Sequence, residues 1–255
     1  MVNKKVLVNF LDKILDLPKF AADSSNNGLQ VETRSKEVKK IALAVDASLE
    51  TFERAIEADA DFILVHHGLS WGSHPKVFNS YVGKRLECLF SNDVSLYAVH
   101  LPLDANKEFG HNAELSKIIN LPIDETFFEY CGVDIGVVGT FDKPKNLADI
   151  QAIYEDRLDT KGKVHGDCDA LIHKVAVCSG GGGSEAIIDA AAAGADLLIT
   201  GEFFHTMYHI QKELNINVLS LGHYATETVG LKALGKIITE KFDVECEFID
   251  VPTKL

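Results

Sequence analysis

Positive charge is scarce in this chain: 25 lysines and arginines stand against 38 aspartates and glutamates, a formal charge of −13. A surface that acidic repels phosphate backbones, which excludes sequence-independent nucleic-acid binding. A small anionic substrate drawn to a local positive spot is still compatible with it. Long apolar runs are also missing. None approaches the roughly 18 residues of a membrane-spanning helix, so no membrane partner is expected. Lys4 and Lys5 precede an apolar stretch near the start, yet Asp12, Lys13 and Asp16 interrupt it. That turns a signal-peptide pattern into an amphipathic helix. The five cysteines (Cys88, Cys131, Cys168, Cys178, Cys246) include no Cys-x-x-Cys pair. This spacing argues against a disulfide framework and a thiolate zinc site, and it suits a reducing, cytoplasmic compartment. Gly-Lys-Ser/Thr and His-Glu-x-x-His are absent as well, and none of the cysteines sits in a setting that recommends it as a nucleophile, so metal-activated water is the candidate nucleophile.

What is present suits a globular protein. Hydrophobic residues make up 46% of the 255, enough for a sizeable core, and the length allows one large α/β domain or two smaller ones. Apolar periodicity predicts helices alternating with short buried strands. Helices are expected at 6–17, 48–57 (with Ser48 as N-cap), 81–90, 113–119, 185–193, 206–214 and 228–240. Strands are expected at 41–45, 62–65, 96–99, 133–141, 175–178, 197–200, 218–221 and 244–251. Strands and helices in that alternation imply βαβ units with mostly parallel pairing.

The chain also repeats itself. Residues 40–66 (KIALAVDASLETFERAIEADADFILVH) lie over 174–201 (KVAVCSGGGGSEAIIDAAAAGADLLITG) with one extra residue in the glycine run. The register carries 98–104 (AVHLPLD) onto 221–227 (LGHYATE), so His100 falls on His223 and Asp104 on Glu227. The expected fold class is therefore α/β: two similar domains with mostly parallel sheets flanked by helices, and a metal site between them. The halves are 1–128 and 129–255, with the boundary in the loop-rich stretch 125–133.

Residues just beyond the carboxyl ends of parallel strands line ligand crevices. His66 and His67 follow FILV, Asp104 follows LYAV, and His223 and Glu227 follow VLSL. Imidazole plus carboxylate suits zinc, iron, manganese or nickel. Adjacent histidines on an extended chain point opposite ways, so each suits one of two neighbouring ions. A carboxylate, Glu227 or Asp104, would bridge them for attack by an activated water. His100 is open between ligand, proton shuttle and supporting residue. Glu202 and His205, the latter one helical turn from His209, are cleft-lining candidates. The glycine run 180–183 is read as a tight strand-to-helix turn in preference to an anion cradle. His74, His111, His165 and His173 are read as core or surface residues.

The motifs VHHG (65–68), HLPLDA (100–105), GGGGS (180–184), ITGE (199–202) and GHYATE (222–227) resemble the YbgI-type, NIF-three-like dinuclear metal proteins. These are often labelled GTP cyclohydrolase 1 type 2 homologues. NNGLQVE (26–32) and FIDVP (248–252) extend the likeness over essentially the whole chain. The resemblance implies a ring-shaped homohexamer with two divalent metal ions per subunit. His67 and Asp104 would hold one ion, His66 and His223 the other, and Glu227 would bridge both. The activity implied is metal-dependent hydrolysis of a nucleotide-like substrate, with GTP ring opening as the leading label; for that activity His100 is expected as the catalytic proton shuttle or as a supporting residue. The rival expectation is a non-catalytic, metal-bearing hexameric scaffold or partner-binding protein.

Overall fold

A computed structural model of the chain describes residues 1–73 and 77–255; His74 lies outside them. In chain order the elements begin with β1 (Val2–Asn3), α1 (Lys4–Ile14), β2 (Gly28–Val31), β3 (Glu37–Val38), β4 (Lys40–Asp46) and α2 (Leu49–Glu57). They continue with β5 (Phe62–His67), α3 (Ser80–Ser91), β6 (Ser95–Ala98), the single-turn α4 (Leu101–Asp104), α5 (His111–Ile118), β7 (Glu125–Tyr130) and β8 (Val133–Asn146). Then come α6 (Leu147–Leu158), β9 (Lys163–His165), β10 (Leu171–Cys178), α7 (Gly183–Ala192), β11 (Leu197–Thr200) and α8 (Tyr208–Leu214). The chain closes with β12 (Asn217–Ser220), the single-turn α9 (His223–Thr226), α10 (Val229–Lys241) and β13 (Glu245–Phe248).

Two compact units result: Met1–Leu103 with Leu231–Val251, and Asp104–Gly230 with Pro252–Leu255. This grouping differs from the linear halves 1–128 and 129–255, because β13 pairs in parallel with β4 and returns the end of the chain to the first sheet. Lys40 Nζ fastens that edge through Glu245 at 3.0 Å and Glu247 at 2.7 Å. The stretch 125–133 is not a linker. It is strand β7 and its turn, where Cys131 (φ 54°) and Gly132 (φ 81°) both take positive φ. Two such residues fit the tight turn that matches strand twist, and a turn that short makes β7 and β8 antiparallel.

The first sheet runs β13-β4-β5-β6-β2, parallel except for β2 at its edge. Phe62, Ile63, Leu64 and Val65 of β5 are all fully buried, as expected of a strand covered on both faces. The second sheet runs β7-β8-β10-β11-β12-β9, with parallel pairing confined to β10, β11 and β12. The repeat is thus a parallel three-strand centre, β4-β5-β6 and β10-β11-β12, with different antiparallel strands added to each. Each centre ends in a one-turn helix, α4 after β6 and α9 after β12.

Local chemistry explains the elements that hold these centres. The Ser48 side chain accepts the Thr51 backbone N–H at 3.0 Å and starts α2, whose buried face is Thr51, Phe52 and Ala55. Phe52 enters a core with Ile63, Val65, Leu89 and Leu96. In the second unit the core gathers Leu115, Tyr154, Val175, Leu197 and Leu219, and the Tyr154 hydroxyl donates to the Leu115 carbonyl at 2.8 Å. Phe52→Ala should cost about 3–5 kcal/mol in urea unfolding, against about 1 kcal/mol for Ser48→Ala. Equal losses would mean that the core around Phe52 closes up after truncation.

Candidate metal centre

In the first unit, β5 lies between β4 and β6, and its last two residues turn to opposite neighbours. His66 Nδ1 lies 2.8 Å from the carbonyl of Val99, just past β6. His67 Nδ1 lies 2.8 Å from Oδ1 of Asp46, its cross-strand partner at the end of β4. Carbonyl and carboxylate oxygens only accept, so each ring donates from Nδ1. His100 follows the same rule, with Nδ1 at 3.0 Å from Asp23 Oδ1. One nitrogen from each of His66, His67 and His100 falls within a common 4.8 Å. Trp71 stands edge-on to His100, ring centroids 5.0 Å apart.

These rings are held by the 26–32 motif. Gln30 Oε1 accepts the backbone N–H groups of Leu69 and Ser70 at 2.7 and 3.1 Å, and Asn27 Oδ1 accepts that of His100 at 2.7 Å. A Cβ at Gly68 would stand 2.4 Å from Gln30 Oε1, so this staple needs glycine there. Burial pushes the Asp23 carboxyl up, but hydrogen bonding and charge from His100, with Asn27 and Ser25, outweigh it and hold it below its usual value.

The second unit presents the other candidates. The His-x3-acid spacing on α9 brings His223 Nε2 to 3.1 Å from Glu227 Oε1, while Nδ1 lies 2.8 Å from Glu202 Oε1. Burial draws the His223 pKa down, yet the two carboxylates overcome it and raise it to about 9. The two carboxylates thus favour the charged ring, and a cation would compete with the Nε2 proton for the same site. Asp104 is buried, and its Oδ1 accepts the Ser179 hydroxyl at 2.9 Å. The aligned acid residues thus serve differently: Glu227 faces the histidine of its own motif, whereas His100 turns to Asp23.

The glycine run is a tight turn with a second consequence. Gly180 has φ +61°, and a Cβ there would lie 2.2 Å from Glu227 Oε1 and 3.1 Å from His223 Nε2. The turn leaves room for a charged pair that any side chain would fill. Burial, then the Asp104 and Glu227 carboxylates, push the Cys178 thiol far above its usual pKa, so it supplies no thiolate. Donors of this kind, imidazole and carboxylate without thiolate, fit zinc, iron, manganese or nickel.

Other candidates fall elsewhere. His205 and His209 are exposed, and His205 lines a cavity of about 870 Å³ with Lys163, His165, Phe203, Tyr208 and Lys212. His165 stacks on Phe203 at 3.7 Å. His173 is exposed and His111 fully buried. Asp23 and Asp46 were missed from the sequence, although Asp46 directly ends a predicted strand and the strand-end rule that selected His66 applies to it. Asp23 carries no such signal, since it lies in a loop far from His100 in sequence.

The fold and its strand-end imidazoles and carboxylates define a two-unit α/β protein with the donors for transition metals. Residues 2–254 match the Duf34/NIF3 (NGG1p interacting factor 3) family, and the chain belongs to it. A GTP cyclohydrolase 1 type 2 homolog of Pyrococcus horikoshii is 45% identical over 255 residues, covering 100% of both chains. Its counterpart in Deinococcus radiodurans is 37% identical over 254 residues, covering 100% of this chain and 95% of that one. Among solved structures, protein ybgI superposes with a TM-score of 0.90 at 32% identity, covering 100% of both chains. TTHA1606 of Thermus thermophilus gives 0.87 at 36% identity, again over 100% of both.

Two outcomes follow from this geometry. Gly180→Ala should destabilise the protein by more than Gly72→Ala, whose φ of +57° carries the same backbone strain, about 1–2 kcal/mol, but where a Cβ meets none of the described residues within 4 Å. Equal effects in thermal unfolding would remove the close approach to Glu227. In metal-free protein, NMR titration should find His223 losing its proton near pH 9, and Glu202→Gln should lower that value. Because the folded pKa is raised, its stabilising contribution is complete below about pH 6.5 and is lost as pH rises through about 9.

Proposed function

We propose that the protein is a metal-dependent hydrolase that holds two divalent transition-metal ions (zinc, iron, manganese or nickel) per subunit. His67 and Asp104 hold one ion, His66 and His223 the other, and Glu227 bridges both. The observation that carries this is the shared state of three histidines. His66, His67 and His223 each commit Nδ1 to an oxygen acceptor. That is the arrangement by which proteins orient metal-binding imidazoles. Two such ions, when bound, acidify water and stabilise developing negative charge.

The chain's own residues supply the rest. His100 is the catalytic proton carrier: its Nδ1–H is anchored on Asp23, so Nε2 is free to take a proton, and the Asp23 anion stabilises the imidazolium that forms. Trp71 donates its indole N–H to the Gly68 carbonyl at 2.9 Å and keeps the side of His100 that it faces apolar. The substrate is a small anionic, nucleotide-like molecule. The cavity lined by His165 and His205 supports this class, since Phe203 and Tyr208 suit a planar ring while Lys163 and Lys212 suit an anion, and about 870 Å³ is the size of a small-molecule site.

The assembly is a homohexamer. Support comes from Val77, Phe78 and Tyr81, which leave 63%, 63% and 65% of their surface exposed in one short stretch. Cytoplasmic residence is supported by five free cysteines. Among the described residues, no helix is long and apolar enough to cross a membrane.

Metal analysis tests the centre. Wild-type protein should carry close to two ions per chain; Glu227→Gln should lose at least one, and Asp104→Asn should keep the ion held by His66 and His223. Circular dichroism should be unchanged in both, because these side chains lie beyond the strands. Wild-type occupancy in Glu227→Gln would end the bridging role. Inactivity toward a panel of nucleotides and phosphoesters with all four metals would favour the scaffold alternative.

A further inference from the structure

His111 opens α5, is fully buried, and presents its ring the opposite way round from the four histidines above. Its Nδ1 lies 3.1 Å from the backbone nitrogen of Gly230. A peptide N–H can only donate, so Nδ1 is the acceptor and the ring's proton sits on Nε2. A ring nitrogen of His111 falls within 4.8 Å of a carboxylate oxygen of Asp104. With Nδ1 taken by Gly230, what His111 has to offer its surroundings is an N–H. A carboxylate wants that donor; a cation does not.

The rest of the neighbourhood is built to hold both groups still. Ser179 gives its hydroxyl proton to Asp104 Oδ1 at 2.9 Å, and its backbone N–H donates to Asn112 Oδ1 at 2.7 Å. The Asn112 amide in turn donates to the carbonyl of Ile135 at 2.7 Å and to that of Asp104 at 3.3 Å. On the far side of the ring, a Cβ at Gly230 would stand 2.8 Å from the His111 backbone nitrogen and 2.9 Å from Nδ1. Only glycine allows that approach, so the acceptor role of Nδ1 is locked by packing.

We propose that His111 is a positioning residue for Asp104: a neutral imidazole that turns its Nε2–H toward the carboxylate and aims it at a cation without ligating the cation itself. The metal part of this rests on the two-ion reading; the orientation of the ring does not.

Nitrogen-15 NMR of the histidine rings, in metal-free and zinc-loaded protein, reads the orientation. His111 should show a protonated Nε2 and a bare Nδ1 in both states. A protonated Nδ1, or a His111 nitrogen that moves to a metal-bound shift when zinc is added, would overturn the proposal. Zinc competition on two variants reads the role. His111→Phe keeps a ring but loses both the Nε2 donor and the Nδ1 acceptor of the Gly230 N–H, and should weaken one of the two ions by roughly 10- to 100-fold. His111→Gln keeps an N–H near the Nε2 position and should recover most of that loss. Unchanged affinity in His111→Phe, equal loss of both ions, or no recovery in His111→Gln would each reject it. Should the Phe variant not fold, the ring measurement on wild-type protein still decides. Wild-type protein that takes up no zinc would sink the two-ion reading; two tightly held ions in both wild type and His111→Phe would sink only the role of His111.

Discussion

An imidazole becomes a directed donor only when one of its nitrogens is tied down, and in this fold the ties are oxygens at strand ends. Val99 O and Asp46 serve His66 and His67, and Glu202 serves His223. Those oxygens are in reach because the central strands are parallel and end at the same level. The register that pairs Asp46 with His67 follows from the same ladder that pairs Ile41 with Phe62. A one-residue slip would move every side chain of β5 to the other face, burying His67 and turning the rings from their acceptors. The continuous burial of Phe62–Val65 on both faces resists such a slip. Core packing and the chemistry of the centre are therefore one constraint.

Close approach adds a second. Gly68, Gly180 and Gly230 each stand where a Cβ would strike a group that fixes or faces a candidate ligand: Gln30, Glu227 and His111. None of the three serves mainly as a flexible joint. They let the backbone come near enough for hydrogen bonds and charges to crowd, which accounts for glycine at the tips of both strand-end loops.

Much of this was legible in the sequence. FILV, LLIT and the 40–66 over 174–201 repeat foretold two parallel centres, and the strand-end rule singled out His223 and Glu227 beyond VLSL. The limits are physical. A linear division could not express the return of β13 to β4, because pairing between distant segments leaves no local pattern in β13 itself. Gly132 suggests a linker until its neighbour Cys131 is seen to share positive φ. Asp23 reaches His100 across 77 positions of chain, and His111 looks like a plain core residue. Only the direction of the Gly230 N–H shows which way its ring is protonated.

The central claim is that strand-end histidines bind metal through Nε2 while Nδ1 stays on its oxygen. Anomalous scattering from crystals of zinc-loaded protein tests it most directly. The account predicts two anomalous peaks per chain, both within bonding distance of Glu227, with Nε2 of His67 on one ion and Nε2 of His66 and His223 on the other. A single peak, a peak bound through Nδ1, or none near these residues would contradict it.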